Sequence, residues 1–419
     1  MAAAAWDRDC RRSFAGPACL GMAPWAWGAT LVACVACLIG AAPAPAASFT
    51  WQGGGSSGLW SEGANWGTII FPPFVGRDGN DLVFDRANQL SSTNDVAAPM
   101  VTYRSISFLP NQGGSSIGAG SFTVSGTSFG VTGTIANSST NTQTFTVTSL
   151  ALPGPSPTVV SVTGAPMVFN TVITGSGGLN KTGSGQVSIL RSPTMTGATT
   201  VSAGTLVTGT GVGSFAGPLA VTASGTASIL GPTDFAAVTM NGGTLLPGGT
   251  SSTSYLAMSV DSLSLSGSAR VVMGVGQRPT SDAIIVTGTA AGSMAFGGDL
   301  QLDLAGLGTS TYYQFQAEFP LFQFAANASS GTLASISSIN GTGPYAGLSW
   351  NRVAADGTWY SSQFSGGQPG TYFSFSERSG TLAVVPEPSA MVMAAVGVVG
   401  GGLLSWWRKR RPRAEEPAA

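Results

Sequence analysis

Polar and apolar residues trade places one by one along much of this chain. Ser262-Leu263-Ser264-Leu265-Ser266 and Asp299-Leu300-Gln301-Leu302-Asp303-Leu304 alternate cleanly, and Thr144-Phe145-Thr146-Val147-Thr148 and Ser105-Ile106-Ser107-Phe108 do the same. A period of two sends one set of side chains into a core and the other into water. Val, Ile and Thr dominate these runs, as pleated surfaces favour. Clusters of Gly, Asn, Ser and Pro separate them, which is turn chemistry. Between residues 48 and 385 no long stretch repeats at 3.6 residues, so the pattern predicts an all-β fold.

Internal similarity selects a solenoid over a sandwich or a closed barrel. Gly175-Ser176-Gly177-Gly178-Leu179-Asn180-Lys181-Thr182-Gly183-Ser184-Gly185 leads into Val187-Ser188-Ile189, and Thr200-Val201-Ser202-Ala203-Gly204-Thr205-Leu206 follows a turn at Thr196-Gly197-Ala198. A looser echo stands at Met240-Asn241-Gly242-Gly243-Thr244-Leu245. Each Gly-x-Leu pivot resets the alternation, as a corner between short strands does. Stacked coils of this kind make a right-handed parallel β-helix, in which each unit buries its apolar face only against its neighbours. At roughly 20–30 residues per coil, about ten rungs are expected.

The two ends read as addresses. Arg8, Arg11 and Arg12 precede an apolar stretch from Ala23 to Gly40, and Ala42-Pro43-Ala44-Pro45-Ala46-Ala47 then supplies small residues for cleavage. Residues 1–47 thus read as a signal peptide for export. Arg11-Arg12-Ser13-Phe14 faintly echoes a twin-arginine signal, although the general route explains the segment as well. At the other end, Val385-Pro386-Glu387-Pro388-Ser389 precedes an apolar segment, residues 390–407, and Arg408-Lys409-Arg410-Arg411-Pro412-Arg413 follows it. At 1.5 Å per residue a helix over 390–407 is about 27 Å long, enough to cross the hydrocarbon of a bilayer. Trp406 and Trp407 sit where an interfacial belt belongs, and Arg408, Lys409, Arg410 and Arg411 would stay cytoplasmic. This order of features, over residues 386–413, resembles the PEP-CTERM sorting signal of Gram-negative bacteria, with Pro386, Glu387 and Pro388 as its signature. The resemblance implies an exosortase-type membrane protease that cuts near Pro386–Pro388 and passes the chain to a cell surface with an exopolysaccharide matrix. A permanent single-span anchor in the inner membrane is the alternative.

Residues 173–206 resemble the autotransporter-associated β-strand repeat. The opening Trp51-Gln52-Gly53-Gly54-Gly55, with Trp60-Ser61, Ala64-Asn65-Trp66 and Asp81-Leu82-Val83-Phe84, resembles the N-terminal cap of such exported β-helix proteins. The expected layout is a cap over 48–110, a solenoid over 111–281 and a β-rich end region over 282–385. The aromatic strands Tyr312-Tyr313-Gln314-Phe315 and Phe319-Pro320-Leu321-Phe322-Gln323-Phe324 suit a cap on the open end of a stack.

Composition narrows the chemistry. Charged residues are 8 % of the 419, with 17 Lys+Arg against 18 Asp+Glu and no histidine. A Ser-His-Asp triad is therefore impossible, and no basic field invites nucleic acid. Cys10, Cys19, Cys34 and Cys37 all lie in the predicted signal. A chain cleaved there has neither a disulfide nor a thiol nucleophile. No cofactor or metal is expected. Asp78, Asp81 and Asp85 beside Asn80 admit three readings: a turn, a Ca²⁺ site or a carboxylate pair for glycoside hydrolysis. Asp299 and Asp303 read as solvated carboxylates, and Asp282 alone makes no site. Lys181, in a Gly-rich turn, reads as solvent-exposed. Trp51, Trp60, Trp66, Trp350 and Trp359 are the better functional lead. Exposed, they would stack on sugar rings; otherwise they plug the open ends of the core.

The sequence thus predicts a non-enzymatic, exported protein of the cell surface or extracellular matrix. Its role is structural or adhesive, and its partners are an exosortase-type protease and extracellular polysaccharide. The alternative is a secreted polysaccharide-degrading or modifying β-helix enzyme.

Overall fold

The computed structural model describes residues 46–66, 79–96, 100–111, 118–249, 255–277, 280–309, 317–353, 356–365 and 371–386. Every named element lies in the unit Ala47–Ala419. The predicted signal, up to residue 45, and the predicted membrane segment 390–407 fall outside the described residues. Among the described residues no helix is long and apolar enough to cross a membrane.

The described chain is nearly all β, and its parallel sheets fit the expected β-helix. A single ladder shows the stacking. Ser48 pairs with Asp81, Asp81 with Ser105, Ser105 with Thr134 and Thr134 with Val159. Val159 then pairs with Asn180, Asn180 with Thr200, Thr200 with Ala220 and Ala220 with Thr239. Thr239 pairs with Ser264, Ser264 with Ala295 and Ala295 with Ser330. Every step is parallel, and each returns the chain to the same position one strand further along. In all, 22 strands join in this system, and a five-stranded parallel sheet runs beside it. The stack crosses both residue 110 and residue 281. Thr102–Phe108 pairs with Phe129–Asn137, and Arg270–Gly274 pairs with Asp299–Asp303 and then, through it, with Ser335–Ile339.

In-register packing follows from the alternation. Inward residues of successive coils sit above one another, so like stacks on like. Phe84 and Phe108 stack with centroids 4.8 Å apart, Phe145 and Phe169 at 5.2 Å, and Phe215 and Phe235 at 4.9 Å. The Gly-x-Leu corners act as read from the sequence. In Thr199–Thr208, Val201 points inward, the register slips between Val201 and Ala203, Gly204 takes φ +67°, and Leu206 points inward again. The apolar phase thus shifts from odd to even positions at the corner.

At its far end the chain leaves the parallel pattern. Glu318–Pro320, Trp350–Val353, Thr358–Ser361, Thr371–Ser376 and Thr381–Pro386 form an antiparallel five-stranded sheet. Phe373, Phe375, Leu382 and Val384 are its buried face.

Candidate functional site

Of the candidate carboxylates near residue 81, the two described ones, Asp81 and Asp85, each face an arginine. Asp81 opens the strand Asp81–Phe84, whose Leu82 and Phe84 point inward, so Asp81 lies on the outer side. Arg104, on the neighbouring coil, donates through Nε to Asp81 Oδ1 at 2.9 Å and through Nη2 to Oδ2. Ser105 Oγ donates to Oδ1 at 2.6 Å. The guanidinium, helped by the Ser105 hydroxyl, holds the Asp81 carboxyl below its ordinary range. An ionised, ion-paired carboxylate is a poor general acid. Asp85 faces Arg86 at 3.6 Å. Asp78 lies outside the described residues, among which no group of three or more His, Cys, Asp or Glu side chains is placed to hold a metal ion. Asp299 accepts from Ser335 Oγ at 2.6 Å, and Asp303 from the Ala305 N–H at 3.0 Å.

One expectation from the sequence needs correction. Lys181 is fully buried. It occupies an inward position of Leu179–Thr182, and the corner that seemed to expose it instead wraps it. Its Nζ donates to the carbonyls of Thr182 at 2.8 Å, Gly183 at 2.7 Å and Ala203 at 3.0 Å. Three acceptors match the three protons of an ammonium group, while burial pulls the pKa down to about 8. Of the two readings offered for the tryptophans, the structure takes packing on the core over open platforms for sugar. Trp51 and Trp60 are 0 % exposed, Trp66 3 % and Trp359 7 %. Trp51 meets Trp66 edge-on at 4.9 Å, and Trp60 packs on Tyr103 and Phe129. Their indole N–H groups are partnered, Trp51 with Asn88 O and Trp60 with Ser92 Oγ. Half-buried Trp350 lies parallel to the Phe373 ring at 6.4 Å. These rings spend their faces on the core.

Other polar anchors carried no sequence signal strong enough to find them. Glu62 accepts from the Ser57 hydroxyl at 2.6 Å and from the Ser56 and Ser57 N–H groups. These bonds, the Ser57 hydroxyl first, bring its pKa down to about 2. Asn65 ties the same loop, accepting from the Gly55 N–H and donating to the carbonyls of Ser57 and Leu59. Buried Glu377 accepts from Trp359 Nε1 at 3.0 Å, the Leu333 N–H at 2.9 Å and Arg352 Nη2 at 3.0 Å, joining the antiparallel sheet to the preceding segment. Asp282, which the sequence named without a site around it, is buried and accepts from the Leu256 and Gly274 N–H groups. Burial raises its pKa to about 7.

The sorting signature starts inside the fold. Pro386 is the last residue of Thr381–Pro386 and pairs with Thr371. Glu387, Pro388, Trp406, Trp407, Arg408, Lys409, Arg410 and Arg411 lie outside the described residues. No curated protein and no solved structure matches the chain. Residues 384–411 match the PEP-CTERM protein-sorting motif, which implies an exosortase-type processing system and sorting to the cell surface.

Proposed function

We propose that this protein is an exported, non-enzymatic component of the cell surface or extracellular matrix, built as a right-handed β-solenoid and associated with exopolysaccharide. The observation that carries this reading is the joining of two features: a long parallel stack, and a sorting motif that begins within its final sheet. Residues 173–206 serve as an autotransporter-associated repeat within the stack. The apolar segment 390–407 holds the chain in the inner membrane until an exosortase-type protease releases it. Outward Ser, Thr and Asn side chains recur along the ladder from Ser48 to Ser330 and offer many weak hydroxyl contacts to a hydrated glycan. The Asp81–Arg104 pair speaks against Asp81 as the general acid of a polysaccharide hydrolase.

The test uses purified protein with a panel of bacterial exopolysaccharides, followed by co-sedimentation and by release of reducing sugar. The expected result is co-sedimentation with no release, and Asp81→Asn leaves both readouts unchanged. Sugar release abolished by Asp81→Asn would establish the enzyme reading instead. Protein that neither pellets nor releases sugar would remove the glycan partner and leave a purely structural rod.

A further inference from the structure

The antiparallel sheet buries one face and leaves the other unused by the core. Successive side chains of a strand point to opposite faces. Phe373 and Phe375 are buried, so Tyr372, Ser374 and Ser376 take the outer face. The register carries that face across all five strands. Asn351 pairs with Tyr360, Tyr360 with Ser374, Ser374 with Ala383 and Ala383 with Glu318. At about 4.8 Å per strand this row spans roughly 19 Å. Ser374, Ser376 and Ala383 are the small side chains expected on a wetted sheet. Tyr360 and Tyr372 are not. Their rings meet edge to face with centroids 5.6 Å apart. Both are half-buried, and neither belongs to the hydrophobic core. The pair thus holds apolar ring surface and phenol tips on the outer side of the sheet.

We propose that this outer face, centred on Tyr360 and Tyr372, is a binding platform for a neutral polysaccharide. This rests on the reading of the protein as a partner of exopolysaccharide, and it gives that partner a defined site apart from the ladder of the stack. The apolar C–H faces of pyranose rings lie on the tyrosine rings, and the sugar hydroxyls meet the Asn351 amide and the Ser374 hydroxyl. Charge selects the occupant. The outward positions of Trp350–Val353, Thr358–Ser361, Thr371–Ser376 and Thr381–Pro386 hold no Asp, Glu, Lys or Arg, and Glu318 stands at the far edge of the row. Such a face buries no charge when a neutral chain lands on it, and it offers no cation to an acidic one. The tryptophans that the sequence put forward for sugar are packed on the core, whereas these two tyrosines are not.

Affinity electrophoresis of the full chain tests this, in native gels containing hydroxyethyl cellulose, dextran or alginate. Hydroxyethyl cellulose or dextran is expected to retard the wild type, and alginate is not. Tyr360→Ala and Tyr372→Ala should each weaken the retardation about tenfold, while Tyr360→Phe and Tyr372→Phe, which keep the rings, retain most of it. Thermal midpoints of the same variants separate lost binding from lost fold. Should the alanine variants unfold, Ser374→Glu places a charge beside Tyr360 and is expected to abolish retardation in a folded chain. Folded alanine variants that are retarded like the wild type overturn this site and leave the glycan reading standing. Stronger retardation by alginate overturns the neutral ligand. A wild type that none of the three polymers retards defeats the glycan reading and the site together. A wild type that is dimeric by light scattering, and monomeric as Tyr360→Ala, gives the face to a second copy of the chain and also overturns the proposal.

Discussion

Three buried ionisable side chains make the residue scale measurable. Lys181 has its pKa lowered from 10.5 to about 8 by burial. Between those values the unfolded chain holds a proton that the folded chain has released, so stability rises with pH across that window. Lys181→Met removes this rise and leaves three carbonyls without a donor, which costs about 1–3 kcal/mol. Urea midpoints at pH 7 and pH 10.5 report both effects. Asp282 behaves in the opposite sense. Its pKa is raised from 3.8 to about 7, so the folded state keeps a proton that the unfolded state gives up. The stability contributed by Asp282 is fully present below the lower value and is lost as pH climbs to the upper one. Asp282→Asn flattens that decline, as a pH series of thermal midpoints will show. Glu377→Ala takes the acceptor from two buried N–H donors and from the half-exposed Arg352, and should cost about 1–3 kcal/mol. Glu377→Gln, which keeps an acceptor, should lose less in the same unfolding assay.

At the scale of elements, the corners govern the stack. An added Cβ at Gly204 would lie 2.4 Å from the carbonyl oxygens of Gly183 and Gly185 and 2.7 Å from Lys181 Nζ. Gly204→Ala also strains a positive φ, and together these should cost more than about 1 kcal/mol in denaturant unfolding. A neutral Gly204→Ala would show that the corner yields. Much of this scale was legible in the residues. Ser262–Ser266 and Asp299–Leu304 became strands with Leu263, Leu265, Leu300 and Leu302 inside. Phase resets at Gly-x-Leu became real corners. What stayed hidden depended on partners distant in sequence. Nothing local says that Lys181 faces the carbonyl of Ala203, that Arg104 reaches Asp81 from the next coil, or that Glu377 meets Leu333. The tryptophans were legible as aromatic plugs, but the partners that bury them were not. Their spacing near the N-terminus fits a capping surface, while the rings that bury them come from later strands: Tyr103 and Phe129 against Trp60, Phe84 against Trp51 and Trp66, and Phe122 against Trp51. The sorting signature was plain in the sequence as Pro-Glu-Pro, whereas its attachment to a core strand through Val384 was not.

For the whole molecule, the stack and the signal meet at one strand. The parallel stack carries a ladder of small polar residues with little charge, and the sorting motif implies a destination at the cell surface. The two make separate demands on the chain. Coil substitutions such as Gly204→Ala should change stability without changing where folded protein is delivered. Substitutions in the signature should change delivery without changing the melting temperature. The most direct measurement compares cells making the wild-type chain with cells making one in which Pro386, Glu387 and Pro388 are all alanine, each fractionated and weighed by intact mass. The wild type should be shortened and accessible at the cell surface, while the variant keeps its C-terminal segment and stays in the membrane fraction. A variant shortened and delivered like the wild type would contradict the account.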